Sequence, residues 1–75
     1  MAEIALKREF LGERGYVKVK FYKINDPETG KEQIMVKGRG RGYRFKGETF
    51  DDLYAAQRYV ADRIAQVDEE KREGG

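Results

Sequence analysis

The stretch YVKVKFYKI, Tyr16–Ile24, decides the fold. Val17, Val19 and Phe21 alternate with Lys18, Lys20 and Tyr22, the period-two pattern of a strand with one apolar face. Tyr16, Lys18, Lys20 and Tyr22 therefore share the face turned from the core. Turn signals bracket the strand. Gly12-Glu13-Arg14-Gly15 precedes it, and its glycines admit positive φ. Asn25-Asp26-Pro27-Glu28-Thr29-Gly30 follows it. There Pro27 pre-sets φ, Asp26 can bond the backbone ahead, and Gly30 supplies positive φ.

Outward from this centre the pattern continues. Glu3–Leu11 reads as an edge strand, with Ile4, Leu6 and Phe10 on the inward parity and Arg8 interrupting it. Lys31–Lys37 reads as a third strand, with Ile34 and Val36 inward and Gln33, Met35 and Lys37 outward. After Gly38-Arg39-Gly40-Arg41-Gly42, the segment Gly42–Gly47 reads as a fourth strand. Tyr43 and Phe45 point inward there, and Arg44 and Lys46 outward. Thr49-Phe50-Asp51-Asp52 matches a capping box and opens a helix. Phe50, Leu53, Val60, Ile64 and Val67 form its apolar stripe, with Ala56 and Ala61 beside it. The helix is expected to fray after Val67.

Short links make the strands antiparallel neighbours. The expected fold is α+β: a four-stranded antiparallel β-meander followed by one C-terminal α-helix packed on one face. It forms a single domain over residues 1–67, with a charged flexible tail over 68–75. The chain has 75 residues, with 39% apolar and 40% charged, so its core is expected to be thin, and pairing with a second copy would support it.

Cysteine and histidine are both absent, which excludes disulfides, thiolate metal sites and the usual nucleophile–base pairs. Asp51 and Asp52 are read as helix-capping groups rather than metal ligands or acid–base catalysts. No catalytic constellation, cofactor site or metal site emerges, and the chain is not expected to be an enzyme. No apolar run approaches the roughly 20 residues of a membrane helix, and MAEIALKREF lacks a signal-peptide h-region. The expectation is a cytoplasmic protein with no membrane partner.

The net charge is +2, yet the charges segregate. Residues 14–24 carry four cations and no acid, and residues 37–46 carry five and no acid, leaving −7 elsewhere. Brought together, these blocks form a basic patch. The outward parity also displays two tyrosines and Met35 among the cations. Cations neutralise phosphates and aromatic faces accept unstacked bases, so the mixture fits single-stranded nucleic acid. The binding set is Tyr16, Lys18, Lys20, Tyr22, Lys37, Arg39, Arg41, Arg44 and Lys46. The glycine-arginine stretch is expected to be a mobile basic finger that approaches a polyanion closely. A solvated sheet face and a plain hairpin link are the bland alternatives, as is amphipathic-helix surface for Tyr54, Arg58 and Tyr59, which could instead border a dimer interface.

With the elements placed, the order resembles the four-strands-then-helix units of PUR repeats, Whirly proteins and the positive-cofactor-four coactivators. "EIALKREF" followed by "GYVKVKFYKIND" looks like the first two strands of a PUR repeat, and "DPETGKE" like the coactivator's middle. The resemblance implies a non-catalytic binder of single-stranded DNA or RNA, acting as a dimer or larger assembly, with Tyr16, Lys18, Lys20 and Tyr22 on the binding sheet. A second resemblance is to the arm-binding domains of phage integrases, whose three-stranded sheet enters the major groove of duplex DNA. It makes Arg39, Arg41 and Arg44 base readers. A third possibility is a small adaptor or inhibitor that docks its basic face on an acidic protein. The terminal Gly74-Gly75 resembles the end of ubiquitin-like modifiers. There a strand precedes the diglycine; here a helix does, so it is read as a flexible end.

Overall fold

The computed structural model describes residues 3–73. Strands β1 (Glu3–Gly12), β2 (Gly15–Asn25), β3 (Glu32–Gly40) and β4 (Tyr43–Phe50) precede helix α1 (Leu53–Glu73). The strands form one antiparallel sheet in the order β1-β2-β3-β4, with the helix on one face. This is the expected α+β meander. Gly74-Gly75 lies outside the described residues.

The core lies between that face and the helix. Val17, Val19, Phe21, Ile34, Val36, Tyr43 and Phe45 meet Ala56, Val60, Ile64 and Val67 there, all buried. Phe21, Val17, Val19, Val36 and Val60 are shut off almost completely, and burying each stabilises the fold by roughly 1.5–3 kcal/mol. Asp26 acts as expected: its Oδ1 accepts the Glu28 N–H at 2.8 Å, and Gly30 closes the turn at φ 71°.

Five details differ from the sequence reading. First, β1 carries a bulge at Ala5, so Ile4 pairs with Tyr22 while Leu6 pairs with Phe21. An inserted residue reverses parity. Ile4 thus lies on the outward face, 48% exposed, and not in the core.

Second, β4 runs on to Phe50, with a matching bulge at Gly47, whose φ is 127°. Thr49 is therefore an exposed strand residue paired with Met35, not a helix cap. The cap is Asp52, whose Oδ1 accepts the Ala55 N–H at 2.7 Å. The bulge keeps Phe50 on the inward side, where its ring lies 4.9 Å from that of Tyr59.

Third, Tyr59 is half-buried and packs against the core. It also meets Phe45 edge-on at 5.9 Å, and its burial and the Glu48 carboxylate both raise its pKa. Tyr54 is exposed, as is the Arg58–Asp62 pair at 4.0 Å, and so is Ala61.

Fourth, the helix does not stop at Val67 but continues to Glu73. Asp68 is buried and anchors this extension. It accepts a hydrogen bond from the Tyr43 hydroxyl and one from the Glu13 N–H at 3.2 Å, while Arg72 pairs with Glu13 at 3.1 Å.

Fifth, Gly38-Arg39-Gly40 belongs to β3. Only Arg41 and Gly42 remain as the turn, with Gly42 at φ 80°. The mobile finger is thus mostly strand. Its glycines have a packing reason: a Cβ on Gly38 would stand 2.8 Å from the Val19 Cα, and one on Gly40 would stand 3.2 Å from the Val17 Cα. The β2 backbone occupies the space that inward side chains would need.

Candidate nucleic-acid interface

The sheet face away from the helix is organised in rows, because residues paired across antiparallel strands share a face. One row is Lys7, Lys20, Lys37 and Lys46, one lysine from each strand. The next, toward the β1–β2 turn, is Glu9, Lys18, Arg39 and Arg44. On the other side of the lysines lies a less charged row of Ile4, Tyr22, Met35 and Thr49. Eight adjacent positions thus hold seven cations and a single carboxylate.

Such a register opposes folding. Lys7–Lys20, Lys20–Lys37, Lys37–Lys46, Lys18–Arg39 and Arg39–Arg44 are all directly opposed like charges, and such pairs destabilise a sheet. The ion pairs found among the described residues, Arg58–Asp62 and Arg72–Glu13, lie elsewhere. The field over the two rows is therefore left for solvent or a ligand to neutralise.

The face contains a shallow depression of about 610 Å³. Lys7, Glu9, Lys18, Lys20, Tyr22, Lys37 and Arg39 line it, with Arg8, Val19 and Gly38 between them. These last three sit on the inward parity and contribute the floor. Gly38 is thus required by the core side of β3, while Arg39 beside it faces the depression.

Most of the residues singled out in the sequence converge here. Lys18, Lys20, Tyr22, Lys37 and Arg39 line the depression, and Arg44 and Lys46 extend its rows on β4. Two do not join them. Tyr16 lies beyond the arginine row, paired with Leu11, and both are largely exposed. Arg41 sits in the β3–β4 turn, outside the paired strands that build the rows. Two residues outside the binding set belong to it: Lys7 completes the lysine row, and Glu9 puts the one acid among the cations. With Leu6 inward its neighbour Lys7 faces outward by parity, but its place beside Lys20 depends on the β1–β2 register.

Comparison with protein-family models, curated protein sequences and solved structures finds no match. No helix among the described residues is long and apolar enough to cross a membrane.

Proposed function

We propose that this protein binds nucleic acid, single-stranded DNA or RNA in preference to duplex, as a non-catalytic cytoplasmic factor. The observation that carries it is the like-charge register: seven cations in two cross-strand rows, held against their own repulsion around a depression. A polyanion relieves that repulsion. Its phosphates exchange condensed counterions for lysine and arginine, and the half-buried Tyr22 ring beside the lysine row offers a stacking surface to an unpaired base.

Fluorescence anisotropy of labelled single-stranded and duplex oligonucleotides across a salt series tests it. Log affinity for single strands should fall with log salt at a slope of about −3 if the lysine row alone engages, steepening to about −5 with both rows. Lys37→Ala should make the slope shallower by about 0.7. Preference for duplex would replace this reading by a duplex-groove one. Failure to bind either at low salt would refute it and leave an acidic protein as the partner.

A further inference from the structure

Resting on that reading, we infer that the single strand crosses the four β-strands along the lysine row, with its bases turned toward Tyr22 and not toward Tyr16. The two tyrosines look equivalent in the sequence, since both lie on the outward parity of β2. The register separates them. Adjacent strands lie about 4.8 Å apart, so the lysines on β1 to β4 form a track about 14 Å long. Phosphates of a stacked strand rise about 3.4 Å each, so the track serves about four of them.

The parallel row is a poorer track. Glu9 occupies its β1 end, so a phosphate there would meet a carboxylate, where the lysine row offers Lys7. Tyr22 is two residues from Lys20, about 6.6 Å along the strand, whereas Tyr16 is four residues away, about 13 Å. A base attached to a phosphate on the track therefore reaches Tyr22. Tyr22 lines the depression and has Ile4 and Met35 on either side, which gives a base an apolar neighbour beside the ring. Both bulges, at Ala5 and Gly47, flank the central Phe21–Val36 pair, so the edge strands bend where the apolar row meets the lysine row. Gly47 also leaves the Met35 sulfur and the Lys37 chain free of a side chain there: a Cβ on it would lie 3.5 Å from Met35 Sδ. The inference is thus a division of labour, with lysines on phosphates and Tyr22 on a base.

The test compares Tyr22→Leu, Tyr22→Phe and Tyr16→Leu with the wild type, using labelled oligothymidine in the same salt series. Tyr22→Leu should lose about tenfold or more in affinity, the range of one lost base stack, with an unchanged salt slope because no phosphate contact is removed. Tyr22→Phe should retain most of the affinity, and Tyr16→Leu should change it less than about twofold. Wild-type binding with equal losses at both tyrosines, or with loss at Tyr16 alone, would overturn the orientation while leaving the nucleic-acid reading in place. Absence of wild-type binding would sink that reading itself. Should Tyr22→Leu fail to fold, crosslinking wild-type protein to an oligonucleotide with photoreactive 5-iodouracil decides the point. An adduct on Tyr22 supports the orientation, and one on Tyr16 overturns it.

Discussion

Gly38→Ala is the substitution that most directly separates a packing role of the glycine-arginine stretch from a flexible-finger role. In an open strand, alanine is the better residue. It restricts the unfolded chain and should stabilise by roughly 0.5–1 kcal/mol. At Gly38 the added Cβ would stand 2.8 Å from the Val19 Cα and 3.1 Å from Val19 Cγ2, and closer still to the Lys18 carbonyl oxygen. Two of these neighbours are backbone, which no rotamer change can move aside. Relief requires β3 to shift away from β2 and weaken the ladder between Lys18 and Arg39. Overpacking of this kind costs up to about 3 kcal/mol, so a net loss of about 2 kcal/mol is expected. In a domain this small, that lowers the melting temperature by about 8–16 °C. Urea titration and thermal melts followed by circular dichroism measure both quantities. Arg39→Ala, one residue along and exposed, is the control, with a change within about 0.5 kcal/mol. An alanine at Gly38 that leaves stability unchanged or raises it would refute the close-approach explanation and restore the mobile finger.

Other outcomes follow from the same geometry. Asp52→Ala should cost about 1 kcal/mol through the lost cap and Thr49→Ala less than about 0.5 kcal/mol, a ranking that chemical denaturation reads directly. Burial and then the Asp68 hydrogen bond raise the pKa of Tyr43 above its ordinary value near 10, despite opposing effects from Arg14. The native state therefore holds this proton where the unfolded chain has released it. Its contribution is complete below about pH 10 and falls as pH rises through the folded-state value. Stability followed by tryptophan-free near-ultraviolet absorbance should decline in that alkaline range, and Tyr43→Phe should flatten the decline attributable to this group. Glu9→Gln removes the one acid of the cation rows and should tighten oligonucleotide binding about twofold to fivefold at low salt, with the gain shrinking as salt rises. Unchanged affinity would mean that the ligand does not pass near β1.

Much of the candidate site was legible because strand parity is a local property. The alternation at Val17, Val19 and Phe21 already places Lys18, Lys20 and Tyr22 on the opposite face, and Ile34 and Val36 do the same for Met35 and Lys37. Pairing partners are not local. That Lys7 stands beside Lys20, or that Arg39 separates Lys18 from Arg44, depends on how the turns set the register. Arg41 and Arg39 looked alike within one Gly-Arg repeat, yet one is turn and the other is strand.

By itself, then, the order of alternating segments, turn residues and one amphipathic segment determined the β-β-β-β-α meander and the sign of its open face. Periodicity and turn chemistry act within a few residues, and they survive in the unaligned chain. Tertiary structure alone decided the bulges at Ala5 and Gly47, which moved Ile4 out of the core and kept Phe50 packed against it. It also decided the later helix start at Asp52 and the extension to Glu73, where buried Asp68 ties the helix to Tyr43 and the β1–β2 turn. The glycines of β3 belong to the same class: their need is set by a neighbouring backbone, and a neighbour across a sheet leaves no mark in the local pattern.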